Sequence, residues 1–245
     1  MNRILWVLFF ALWSTPLLPF TKHITDYLVQ GFGTQPLSKK HQRLVKSLMH
    51  KMNISKPIDM RLANWQTKAL WGRNNALAMY DHYLFISDSF FNELSKKEQR
   101  FLIGHELSHI KFNHNSKQLS VLILLIMLVF FVYKHIYAFL RTRISRRIIR
   151  IPIGLFCFWA LLVGRQVIYA TLSRVCERQA DKESALCLHC PEGGIAFFNR
   201  LEKTAQFPQK KNRLQKALSP WVATHPSNKE RIECLKDFKI NKDQK

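Results

Sequence analysis

Apolar positions along the 245 residues fall into three kinds of pattern, and each predicts a different element. The first is the uninterrupted run. Residues 4–20 (ILWVLFFALWSTPLLPF) follow Met1-Asn2-Arg3 with no charge and no small-residue cleavage site, which predicts an N-terminal membrane anchor rather than a cleaved signal. Two further runs occupy 119–133 and 151–164. Each extends to about 22 residues if Lys134 and Arg165 lie near helix ends and carry their charges out to the interface. Together they predict a transmembrane helical hairpin. Two buried core helices are the alternative, because neither uninterrupted run reaches the roughly 20 residues that a span needs.

The second pattern is the helical period. From Leu37, with Ser38 as N-cap, Leu44, Val45, Leu48, Met49 and Met52 fall on one face of an amphipathic helix. Ser95-Lys-Lys-Glu98 has the form of a capping box and opens a helix through Phe101, Leu102, His105 and His109 to about Asn113. A further helix runs through Arg174, Glu177 and Asp181, and turn signals follow at Pro208 and Ser219-Pro220. The third pattern is alternation, seen at Ile58, Met60 and Leu62, and a second extended region follows in Ala76 to Tyr80 and Tyr83 to Ser87; together they predict a small sheet. The fold class is therefore α+β, mostly helical. Its organisation is an anchor or signal at 1–20, a globular part at 21–118, the hairpin at 119–172 and a second globular part at 173–245.

Charge narrows the partners. The 38 Lys and Arg against 16 Asp and Glu leave a formal net charge of +22, which calls for an anionic partner. Long apolar runs, basic residues spread over the whole chain and the lack of a nucleic-acid-binding motif favour lipid headgroups and argue against nucleic acid. Between the apolar runs, Lys134, Arg141, Arg143, Arg146, Arg147 and Arg150 occur with no acidic residue, a pattern that places this short linker in the cytoplasm. The segments on either side of the hairpin then face the exterior, the periplasm if the membrane is a bacterial inner membrane. The five cysteines do not form a disulfide framework, and Cys187 and Cys190 have no second CxxC to complete a four-ligand metal site, so they read as ordinary packing residues.

His105-Glu106-Leu107-Ser108-His109 is HExxH within an apolar-periodic helix. The i, i+4 spacing puts both imidazoles on one face, where two nitrogens can bind one Zn²⁺, and it leaves Glu106 beside the open coordination position. Two histidines on a helix surface are the bland alternative. A catalytic zinc wants a third protein ligand. His114 is the nearest candidate in sequence, and Asn115 occupies the place where a metzincin would carry its third histidine. Far downstream, Glu177 and Asp181 share one helical face, so that one carboxylate can ligate zinc while the other orients a ligand histidine.

Four ordered blocks resemble the HtpX-like zinc metallopeptidases of metallopeptidase family 48, which includes the CAAX prenyl proteases. They are Asn75-Ala-Leu-Ala78, Gly104-His-Glu-Leu-Ser-His109, Ser173-Arg174 with Glu177 and Ala180-Asp181, and Thr224-His-Pro226 with Glu230-Arg231-Ile232. The chain shows one leading span where HtpX has two. The resemblance implies a gluzincin-type catalytic domain with one Zn²⁺ per chain, bound by His105, His109 and Glu177. It further implies Glu106 as general base and then acid, Asp181 as support for a ligand, and His225 as the group that stabilises the oxyanion. Asn75, Ala76, Leu77 and Ala78 would form the edge strand that pairs with an extended polypeptide substrate, itself a misfolded or membrane-associated protein. A prenylated-peptide protease is the alternative within the class, and a non-catalytic zinc-stabilised membrane adaptor is the alternative outside it. HtpX keeps its catalytic domain in the cytoplasm, so on sidedness the resemblance and the local charges disagree.

Overall fold

The computed structural model describes residues 35–63, 76–79, 81–204 and 223–243. The expected anchor at 4–20, Asn75, Tyr80 and the turn signals at Pro208, Ser219 and Pro220 lie outside these residues. The elements run in the order α1 (Lys39–Lys51), β1 (Asp59–Leu62), β2 (Ala76–Met79), β3 (Tyr83–Ile86), α2 (Asp88–Glu93), α3 (Lys96–Lys111), α4 (His114–Arg143), α5 (Arg147–Cys187), α6 (Pro191–Thr204) and α7 (Asn228–Asp243). The described chain is mostly helical, with one small sheet.

The contacts divide the chain into two units. The first comprises residues 1–116, 176–210 and 226–245, and the second 117–175 and 211–225. In the first unit, α1 starts where sequence places it, the Ser38 hydroxyl accepting from the His41 N–H, and it buries Val45, Leu48 and Met52. The sheet has the order β1-β3-β2, with β1 parallel and β2 antiparallel to β3. β3 is buried at all four positions because it is flanked on both sides, while residues 35–37 hydrogen bond along β1 and leave β2 as the outer described strand.

α3 is the centre of this unit. Both halves of its capping box form, since the Glu98 N–H donates to the Ser95 hydroxyl and the Ser95 N–H to the Glu98 carboxylate. Every residue from Phe101 to Ile110 is buried. Helix α3 packs against β2, α1 and α6, and α6 in turn against α7. A helix enclosed on all sides can carry polar groups only if each finds a partner, which makes the buried His105, Glu106 and His109 a question of chemistry. The C-terminal end of α5 lies so close that a Cβ on Gly104 would stand 2.5 Å from Leu188 Cδ1 and 2.6 Å from Ser184 Oγ. Ser184 also donates to the Phe101 carbonyl at 2.8 Å, which fixes the register of α5 along α3.

In the second unit, α4 has 30 residues in all, and α5 is a single helix of 41 residues that continues into the first unit. The separate helix expected through Arg174, Glu177 and Asp181 is thus the end of α5, because no Gly-Pro or turn cluster interrupts the chain between the apolar run and Glu177. The basic linker is likewise mostly helical. Only 144–146 lie outside helices, so Arg141, Arg143, Arg147 and Arg150 sit on helix ends. The most apolar windows of α4 and α5 have mean hydropathies of 2.4 and 1.8 and are only 6% buried. Phe130, Phe131, Phe139, Leu155, Phe156 and Trp159 are exposed, which is incompatible with core helices of a water-soluble domain and fits helices whose solvent is lipid.

Candidate metal centre

One turn of α3 separates His105 from His109, and their Nε2 atoms face each other at 3.1 Å. From the end of α5, Glu177 places Oε2 at 3.5 Å from the first of these nitrogens and Oε1 at 3.5 Å from the second. All three residues are buried, and one donor atom from each lies within 4.8 Å of the others. Tetrahedral zinc with bonds of about 2.0–2.1 Å holds its ligand atoms roughly 3.3 Å apart. The donor spacings of 3.1, 3.5 and 3.5 Å, with two imidazoles and one carboxylate, therefore suit that ion.

What lies behind the donors explains why they converge. His105 Nδ1 is 2.9 Å from Asp181 Oδ1, one turn along α5 from Glu177, which turns Nε2 of the same ring toward His109. Asp181 is gripped in turn by Arg231 of α7, through Nε to Oδ2 at 2.7 Å and Nη2 to Oδ1 at 2.6 Å. The same guanidinium reaches Glu177 Oε2 at 3.3 Å and stacks over the Phe198 ring at 4.1 Å. Its planar fork suits a carboxylate as a Lys ammonium would not. Arg231 is the functional residue whose role local sequence does not reveal. Its neighbours on α7 are those of an ordinary half-exposed helix, and only the tertiary fold brings it to the carboxylates.

Burial alone would keep His105 neutral, but hydrogen bonds to Asp181 and Glu177 outweigh it and push the imidazole up to about 10. Without a metal, a proton on that ring offsets the adjacent carboxylates, and a bound zinc would take its place at Nε2. Burial and the charge of His105 together push His109 down to about 3, so its ring is neutral and Nε2 keeps a lone pair. Glu106 is pushed up to about 7, chiefly by burial, against the charge of His105 and a hydrogen bond from the Ala78 N–H. A carboxyl poised near neutrality can both take and give a proton.

That hydrogen bond joins the site to β2. The Ala78 N–H donates to Glu106 Oε2 at 2.6 Å, and the Ala78 carbonyl accepts from Asn115 Nδ2 at 3.0 Å. Ala76, Leu77 and Ala78 thus lie on the outer described strand, as expected of an edge that pairs with substrate, but both outward backbone groups of Ala78 are engaged. An added strand must exchange with them. His114, the nearest alternative ligand by sequence, lies behind His109 with Nδ1 against Nδ1 at 3.0 Å, away from the converging donors. His225 is exposed in the turn before α7 and belongs to the second unit, in which Arg174 Nη1 donates to the nearby Ala223 carbonyl at 3.3 Å. Ser227 caps α7, with a reciprocal pair of hydrogen bonds to Glu230.

Residues 38–239 match the profile of peptidase family M48. The chain belongs to that family. The family is one of metallopeptidases, and two helices of this chain are long and apolar enough to cross a membrane. No curated protein matches the chain. Among solved structures, the crystal structure of S. mikatae Ste24p superposes with a TM-score of 0.65 at 19% identity, over 96% of this chain and 59% of that one. The likeness is one of fold. This M48 chain matches little more than half the length of Ste24p. Cys187 and Cys190, left aside by the metal chemistry, are free thiols that point to different partners, Glu183 and the Lys97 carbonyl.

Proposed function

We propose that this M48 peptidase is an endopeptidase that cuts extended segments of misfolded or membrane-associated proteins at a single zinc site formed by His105, His109 and Glu177. The observation that carries the reading is the mutual approach of three buried donors with Glu106 one residue away, hydrogen bonded to the outer strand of the sheet. In this gluzincin-type arrangement Glu106 takes a proton from the attacking water and hands it to the departing amine. Asp181 holds the His105 ring, and His225 donates to the developing oxyanion. Held by His105, His109 and Glu177, a zinc ion would supply Lewis acidity and lower the pKa of a bound water toward about 7. The edge from Asn75 through Ala78 binds substrate through main-chain hydrogen bonds. Recognition of that kind selects an extended backbone over a particular sequence, which suits unfolded segments better than a prenylated terminus.

The catalytic domain is assembled from 21–118 and 173–245. The hairpin at 119–172 anchors it, with the basic helix ends near 141–150 among anionic headgroups. A leading anchor at 1–20 completes the organisation, and the zinc site faces the exterior of a bacterial inner membrane. Detergent-purified protein should contain one zinc per chain and hydrolyse casein, with both properties lost to a chelator and restored by zinc. Glu177→Ala should lose most of its zinc together with its activity, since two imidazoles make an incomplete site. Wild-type zinc content and turnover in that variant would move the third ligand elsewhere.

A further inference from the structure

The two histidines of the proposed zinc site are held in different ways. His105 leans through Nδ1 on the Asp181 carboxylate. At the same atom of His109 stands another histidine: Nδ1 of His114 is 3.0 Å away, and Nε2 of His114 is 3.2 Å from Oε1 of Gln179. The turn between α3 and α4 makes this possible, because Asn113 adopts φ 55 and sends the chain back so that His114, the first residue of α4, tucks under the last turn of α3. His114 is 1% exposed. Asn113 is itself tied down by the Lys56 ammonium, which also bonds the Ile110 carbonyl.

Proton positions follow from the outer end of this chain of contacts. An amide oxygen only accepts, so His114 carries its proton on Nε2 and offers Nδ1 as an acceptor. His109 must then donate from Nδ1, and its Nε2 lone pair is left pointing at His105 Nε2 and Glu177. We propose that His114, held by Gln179, is a positioning residue that fixes His109 in the Nδ1–H tautomer and so presents Nε2 to the metal, giving one histidine a neutral relay where the other has an anionic one. A neutral partner passes less negative charge into its ligand than a carboxylate does, so the asymmetry tunes the site as well as orienting it. The inference rests on the zinc-peptidase reading above.

The test is zinc affinity of the full chain in detergent, by competition with a chromophoric chelator, together with the visible absorption of the cobalt-substituted protein. His114→Phe keeps the ring volume but removes the acceptor, and should weaken zinc binding about 10- to 100-fold and alter the cobalt spectrum. His114→Asn, whose amide oxygen can stand where Nδ1 stood, should recover affinity to within about threefold of wild type, which a packing role would not allow. Gln179 is exposed, so Gln179→Leu tests the outer link without disturbing the core and should weaken zinc by a smaller factor, while Gln179→Glu should bind at least as tightly as wild type. Wild-type affinity in His114→Phe, or an Asn variant as weak as the Phe variant, overturns the relay. Should His114→Phe fail to fold, equal affinities for the Leu and Glu variants at Gln179 do the same. A wild-type chain that takes up no zinc sinks the peptidase reading instead, so the two failures are distinguishable.

Discussion

Arg231 sits where two buried carboxylates, Glu177 and Asp181, would otherwise repel each other, and its bidentate grip on Asp181 and contact with Glu177 offset that repulsion. Removing one member of a buried ion pair costs on the order of 3–5 kcal/mol, because the partner is left buried and uncompensated. Arg231→Met should therefore lower the melting temperature of the chelator-treated protein sharply, and zinc, by replacing the lost positive charge, should recover more stability in the variant than in wild type. An apo-protein melting temperature equal to wild type would show that Arg231 is dispensable to the site. Glu106 lies beside the donors and bonds the Ala78 N–H, so Glu106→Gln should cut casein turnover by roughly 10²- to 10⁴-fold with one zinc still bound per chain. Stoichiometric loss of zinc in that variant would mean that Glu106 is a ligand.

At the scale of elements, the site depends on how α5 lies along α3. Gly104 is a point of close approach, and the Ser184 hydroxyl is already committed to the Phe101 carbonyl, so an added methyl cannot be accommodated by a simple rotation. Gly104→Ala should destabilise the fold by about 1–3 kcal/mol and weaken zinc binding by pushing Glu177 away. Tight zinc binding in a destabilised Gly104→Ala would separate helix spacing from ligand geometry. The start of α3 offers a pH test. Burial would raise the Glu98 carboxyl, but hydrogen bonds from Arg200 and from Ser95 outweigh it and hold the group below its ordinary 4.5. A carboxyl with a depressed folded pKa contributes stability that is complete above its unfolded value and is lost as pH falls through the folded one. The melting temperature of Glu98→Gln should thus lie below wild type above about pH 5, and the two should converge on acidification below pH 4.5. A gap that stays constant down to pH 3 would rule out the charge as the source.

At the scale of the molecule, the charge at the α4–α5 connection predicts which side of the membrane holds the site. Arg141, Arg143, Arg146, Arg147 and Arg150 cluster where α4 meets α5, and a short basic connection between spans is retained in the cytoplasm. In the proposed orientation, residues before 119 and after 172 face outward together. In a cysteine-free background, a cysteine at exposed Ser145 should resist an impermeant thiol reagent in intact cells, while one at exposed Ser55 should react. Labelling at Ser145 alone would reverse the orientation, and labelling at both would mean that the hairpin does not cross.

The elements whose signals are local were legible in the sequence. The Ser38 cap, the Ser95 and Glu98 capping box, the alternation in β1, the apolar run of β3, the long apolar helices and the i, i+4 pair His105 and His109 each depend on residues within a few positions of one another. Continuity was harder to read, because an apolar run and a polar helix with no breaker between them look like two elements, and α5 is one. The arrangement around the histidines was decided by tertiary structure alone. Glu177 and Asp181 lie more than 65 positions away, Arg231 over 120, and Ala78 on the outer strand of the sheet. The block Glu230-Arg231-Ile232 carries the family resemblance but no sign that Arg231 pairs with Asp181, and nothing local sets Gln179 apart from a solvated residue of its type. Their partners are chosen by the close approach of α5 at Gly104 and by the left-handed turn at Asn113, and such contacts exist only once the chain has packed.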